Sequence, residues 1–256
     1  MHELPLILFT TFIQMSIGCV LFAVIYFLCQ PNADIRLPMW LGLITGVLGG
    51  IASISHLGNP WHLLNTINNV VSSWMSREVI FVGAYVGLVV FNVLCHIFSQ
   101  KFNRTLLSLT ASLGVATIFV MSNIYINSLF TLWTGIVTYS LFSSTALLAG
   151  SSLAYVVLNN AHKQFGIFAL IGFALNVIVF IYLQNHLTDN ATLAMTAKYV
   201  DSHLVTILSW TKLALLAVCL AIMTKFIKKQ PVAIVACLLI ILAEFIGRIA
   251  YFCLAV

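Results

Sequence analysis

The sequence predicts an all-α integral membrane protein built as a bundle of eight transmembrane helices, and three observations lead there. Of 256 residues, 62% are hydrophobic and only 7% are charged, with a mean hydropathy of +1.10, whereas a soluble domain carries about 25% charged residues. Apolar runs of roughly 20 residues, the length that crosses a hydrocarbon core, recur along the whole chain. The polar connections between them are short, which leaves no room for a soluble domain, so residues 1–256 are expected to form one membrane domain.

The runs fall at about 4–29, 39–55, 79–98, 105–126, 134–158, 165–184, 204–227 and 231–254. The first is longer than a signal-peptide core and lacks a basic leader, Glu3 being acidic, so it is expected to remain as a membrane helix. Between the second and third lies a polar stretch, "SISHLGNPWHLLNTINNVVSSWMSREVIF" over 53–81, with two histidines, four asparagines and five serines. Gly58 and Pro60 are placed to end the second helix and turn the chain. Asn65, Asn68 and Asn69 are suited to satisfying the backbone of an interfacial segment where water is scarce. The later connections are tight, such as "SQKFNR" and "NNAHKQ", apart from a second long one at about 185–203.

Basic residues divide unevenly between the two sets of loops. Those after the first, third, fifth and seventh runs, with their flanks, hold Arg36, Lys101, Arg104, Lys163, Lys225, Lys228 and Lys229; the others hold only Arg77 and Lys198. The positive-inside rule places the first set in the cytoplasm and both termini on the opposite, outer side, which in a bacterial inner membrane would be the periplasm. The net charge of +5 thus belongs to membrane topology, and no nucleic-acid partner is expected; the lipid bilayer is the surrounding medium.

Ionisable residues inside a membrane are costly and are functional candidates by default. Glu78 opens the third run, Lys212 lies about two turns into the seventh, and Glu244 and Arg248 fall in the outer half of the eighth. His56 closes the second run, and Tyr125 and Trp210 are expected at the same depth. Plainer readings accompany each. Glu244 and Arg248, four apart, can form an intrahelix ion pair; Lys212 can snorkel to the headgroups; Tyr125 and Trp210 suit an interfacial aromatic belt.

A quinol site accommodates this set. Oxidising a quinol releases two electrons and two protons at the polar margin of the bilayer. An imidazole at His56 can hydrogen-bond a quinol oxygen and take its proton, Glu78 can relay it, and aromatic and aliphatic walls can hold the ring. Neither haem nor an iron–sulfur cluster is expected in this chain. No histidine falls near the middle of a run, where axial ligands would be needed, and the six cysteines show no Cys-x-x-Cys pair or Cys/His cluster. Electrons would therefore leave to a cofactor in a partner protein.

The blocks "HELPLILFT", "HLGNPWHLLNTINNVVSSWMSREV", "SWTKLALLAV" and "EFIGR", in that order along nearly the whole chain, resemble the membrane anchor subunit of anaerobic dimethyl sulfoxide reductase, the DmsC family. The resemblance implies an eight-helix anchor for an iron–sulfur subunit and a molybdopterin catalytic subunit. It also implies that the anchor oxidises menaquinol, with His56 and Glu78 tied to quinol binding; Tyr125, Trp210, Lys212, Glu244 and Arg248 are further binding candidates from their residue types and shared depth alone. The substrate-reducing site would then sit on another chain. Departures touch the basic side chains: His62 and Asn123 stand where the family pattern leads one to expect basic residues, and Thr211-Lys212 where an arginine is expected. Two other readings stay open, a polytopic transporter with Lys212, Glu244 and Arg248 along its path, and a purely structural anchor.

Overall fold

The computed structural model describes residues 4–56, 69–130, 132–158, 161–187, 202–226 and 230–254. His62, Gly58, Pro60, Asn65, Asn68, Lys198, Lys228 and Lys229 lie outside the described residues, as do the side chains of His56 and Lys225. Eight helices are long and apolar enough to cross a membrane, and no strand occurs among the described residues. They are α1 (Leu4–Cys29), α2 (Arg36–His56), α3 (Trp74–Ser99), α4 (Arg104–Ile126), α5 (Gly135–Val157), α6 (His162–Leu187), α7 (Ser202–Phe226) and α8 (Gln230–Cys253). Each matches one of the apolar runs. An even number of crossings returns the chain to the side on which it starts.

Local chemistry sets the helix starts. α3 begins at Trp74, five residues before its apolar run, because the Ser73 hydroxyl accepts a hydrogen bond from the Ser76 amide and so occupies an otherwise unpaired donor. Asn103 does the same for α4, accepting from the amides of Thr105 and Leu106 at 2.9 and 3.2 Å. α2 starts at Arg36 and carries Pro38 in its first turn, where the missing amide hydrogen costs nothing.

α1 is the central helix, packing against α2, α4, α5 and α8, and most of its residues are buried all round. Apolar burial does not hold helices together in lipid as it does in water; close backbone approach and interhelical hydrogen bonds do. Both are present here. Gly18 faces a π turn, Ala146–Gly150, that interrupts α5, and a Cβ on Gly18 would collide with the Ala146 carbonyl. A Cβ on Gly150 would in turn lie 2.6 Å from the Gly18 Cα. Ser16 Oγ donates to the Gly42 carbonyl at 2.6 Å and bonds the buried Tyr85 hydroxyl at 3.0 Å, tying α1 to α2 and α3. Asn92 Nδ2 donates to Thr110 Oγ1 at 2.7 Å between α3 and α4.

Candidate functional site

The ionisable residues of α7 and α8 converge on one carboxylate. Glu244 is fully buried, and its Oε2 accepts from Lys212 Nζ at 3.0 Å and from Thr145 Oγ1 at 2.8 Å. Its Oε1 accepts from Asn176 Nδ2 at 3.3 Å. Arg248, also fully buried, does not pair with Glu244 directly. Its Nη2 donates to Thr145 Oγ1 at 3.0 Å and to Gln14 Oε1 of α1, and its guanidinium lies over the Phe142 ring, 4.3 Å from the centroid. The intrahelix Glu244–Arg248 pair expected from their spacing is thus replaced by an interhelical one, Lys212–Glu244, with Thr145 bridging to Arg248. Lys212 does not snorkel outward. Gly247 makes room for its stem, since a Cβ there would come 2.6 Å from Nζ.

This network sits deeper than the sequence suggested. Lys212 is two residues from the middle of α7 (202–226) and Glu244 two to three from the middle of α8 (230–253), about 3–4 Å along the axis at 1.5 Å per residue. Gln14, Thr145 and Asn176 are equally central in α1, α5 and α6. One polar cluster therefore joins five helices at mid-bundle. Beside it runs a cleft of about 30 Å³ lined in part by Asn176, Ser209, Lys212, Gly247 and Tyr251, enough for one or two waters and far below the few hundred Å³ of an organic ligand pocket.

From Arg248 an aromatic cluster leads toward one end of the bundle. Tyr125, near the C-terminus of α4, is buried edge-on to Trp133, Phe142, Tyr251 and Phe252, with centroids 5.0 to 5.8 Å apart. Trp133 Nε1 donates to the Tyr251 carbonyl at 3.0 Å. Asn123, standing where a basic residue was expected, donates to the Tyr139 hydroxyl at 3.0 Å. Trp210 is not part of this cluster: it is 58% exposed on the outer surface of α7, edge-on to Phe180 at 4.7 Å.

Glu78 stands apart from the network, on α3, which packs chiefly against α2 and α4. Its position four residues into α3 puts it about 6 Å from the helix start, near the end of the bundle that also holds Tyr125. It is half-buried, and its Oε1 is enclosed without a hydrogen-bond partner among the described residues. The adjacent Arg77 does not neutralise it. That guanidinium stacks over Trp74, 4.3 Å from the ring centroid, and donates to the Val70 and Val71 carbonyls at 2.9 and 2.5 Å. His56 ends α2, the neighbour of α3, although its side chain lies outside what is described. The arrangement leaves one enclosed carboxylate oxygen whose capacity to accept a hydrogen bond is unused among the described residues.

The profile of the DMSO reductase anchor subunit (DmsC) matches residues 1–254. The chain belongs to this family. It is 29% identical to the C subunit of the anaerobic dimethyl sulfoxide reductase of Haemophilus influenzae, over 98% of this chain and 94% of that protein. It is 31% identical to the anaerobic dimethyl sulfoxide reductase subunit YnfH of Escherichia coli, over 64% of this chain and 60% of the other. Membership makes the protein a multi-pass membrane anchor subunit, one that implies catalytic and electron-transfer partner subunits.

Within this DmsC-family chain, sequence reasoning missed Gln14, Thr145 and Asn176 as partners of the buried charges. Gln14 and Asn176 carried a usable signal, each an amide near the middle of an apolar run. Thr145 carried none, because a threonine in a membrane helix ordinarily bonds its own backbone, as this one also does to the Leu141 carbonyl at 3.0 Å. Among the described residues no group of three His, Cys, Asp or Glu comes together.

Proposed function

We propose that this anchor subunit oxidises menaquinol at the end of the bundle that carries His56 and Glu78, and passes the electrons to an iron–sulfur partner subunit that serves a molybdopterin catalytic subunit. The observation that carries this reading is Glu78 itself, an interfacial carboxylate with an enclosed, unpartnered oxygen and no cation to neutralise it among the described residues. Such a group is poorly explained as structure, since it lacks the hydrogen bonds that buried polar groups normally make. It is well suited to accepting a quinol hydroxyl. Each turnover takes menaquinol to menaquinone: two protons leave through His56 and Glu78 toward water, and two electrons go to the partner's iron–sulfur centres. On the positive-inside reading this end is periplasmic.

The mid-bundle network has a different task in this account. Gln14 Nε2 and the Nε and Nη1 of Arg248 are enclosed in it without a hydrogen-bond partner among the described residues, and the cleft beside it has room for waters and not for a ring. We assign Lys212, Glu244, Arg248 and Tyr125 to positioning α8 and α5 behind the site, and Trp210 to the lipid-facing or partner-facing surface.

The test uses the intact complex. Glu78→Gln keeps size and hydrogen-bonding capacity but removes the proton relay. Reduction of the terminal acceptor driven by a menaquinol analogue should fall on the order of 10²–10⁴-fold, while reduction driven by an artificial dye that bypasses the membrane subunit stays at the wild-type rate. Unchanged quinol-driven turnover would leave the protein a structural anchor.

A further inference from the structure

At the end of the bundle opposite Glu78, a recess of about 560 Å³ opens where the α1–α2 and α3–α4 connections meet, lined among others by Asp34, Arg36, His96, Lys101, Phe102 and Arg104. Arg36 and Asp34 cancel each other. Arg36 Nε lies 2.9 Å from both carboxylate oxygens, and these hydrogen bonds hold the Asp34 carboxyl below its ordinary range. Lys101 and Arg104 are exposed and form no ion pair among the described residues. The recess therefore carries two uncompensated positive charges, beside the N-terminus of α4, which begins at Arg104 and adds its positive dipole end. The His96 ring stacks flat on Phe102 at 4.2 Å, and its Nδ1 is enclosed without a partner among the described residues.

We propose that this recess seats the phosphate headgroup of an anionic phospholipid. Helix ends place it at headgroup depth, and basic pockets between membrane helices on the positively charged side of a protein capture such headgroups through charge-assisted hydrogen bonds. A lipid fits better than a free anion because the neighbouring helical surface is apolar and uncovered. Leu37 and Trp40 on α2 are 61% and 43% exposed, and Phe98 on α3 is 85% exposed, which offers a track for acyl chains running from the charged rim. Arg77, the cation at the other end of the bundle, is a natural control, since it lies outside the recess and its Nε and Nη2 are already engaged by the Val70 and Val71 carbonyls.

The complex carrying Lys101→Ser and Arg104→Ser tests this. Wild type and variant, in bilayers of phosphatidylcholine with a minor fraction of phosphatidylglycerol, are delipidated gently, and the phosphatidylglycerol retained is titrated by mass spectrometry. Affinity should fall about fivefold for either single variant and about thirtyfold for the double variant, while Arg77→Ser retains the lipid. Both positions are exposed, and the single variants give the same readout should the double one assemble poorly. Equal retention by the variants overturns the proposal. So does displacement of the lipid by inorganic phosphate at matched ionic strength, which would make the recess a free-anion site.

Discussion

Glu244→Gln is the sharpest perturbation of the bundle interior. In formal charges the buried triad holds Lys212, Arg248 and one carboxylate, a sum of +1. Removing the carboxylate charge leaves +2 in the middle of a membrane; Lys212→Met leaves zero. A glutamine keeps the shape but has a single accepting oxygen, so it retains the hydrogen bond from Asn176 or from Thr145 and not both. Each neutral interhelical hydrogen bond is worth only about 0.6 kcal/mol in a bilayer, so the charge term decides the outcome. Breaking a buried pair by removing one partner costs about 3–5 kcal/mol, which corresponds to a Tm lower by about 6–20 °C at about 2–4 °C per kcal/mol. The assay is built into the chain: Cys19, Cys219 and Cys237 are free and buried, so a thiol-reactive fluorophore reports unfolding. Glu244→Gln should lose the larger increment and Lys212→Met clearly less. Equal shifts, or a greater loss for Lys212→Met, would refute the charge argument and reduce the network to a simple Lys–Glu pair.

Two further outcomes follow from the packing and the loops. Gly18→Ala places a methyl group inside the Ala146 carbonyl, a backbone atom that cannot step aside, so α1 and the π turn must separate; size-exclusion chromatography of a fluorescent fusion should show little monodisperse protein, well below a Gly50→Ala control whose Cβ meets nothing. Asp34→Asn should cost less than about 1 kcal/mol, because Asp34 and Arg36 are more than half exposed and solvent screens them. The sign is fixed by the lowered carboxyl: the contribution is present above the ordinary carboxylate range and disappears as pH falls through the folded value, so melting curves of wild type and variant should converge in acid.

Much of the fold was legible because one physical quantity dominates it. Every run long and apolar enough to cross hydrocarbon became a helix, and the misplaced boundaries are those where polar groups serve the backbone, as at Ser73 before α3. The site was legible only where chemistry resides in single residues. Glu78 stands out in any apolar sequence, whereas the partner of Glu244 depends on which helices touch. Spacing on α8 pointed to Arg248, yet helix packing brings Lys212 of α7 to 3.0 Å and turns Arg248 toward Gln14. The π turn after Thr145 left no trace in composition, since its residues, "ALLAG", would continue an ordinary helix. Trp210 had the residue type of a ring wall, but the face it occupies is decided by the rotation of α7.

The central claim concerns where the quinol sits, and a photoactivatable menaquinone analogue measures that directly. Irradiated in the intact complex and mapped by peptide mass spectrometry, it should label the segment 53–81, and labelling should weaken in Glu78→Gln. Labelling confined to the α7 and α8 peptides around Lys212 and Glu244, or to the end of the bundle that carries Lys101, would contradict the account.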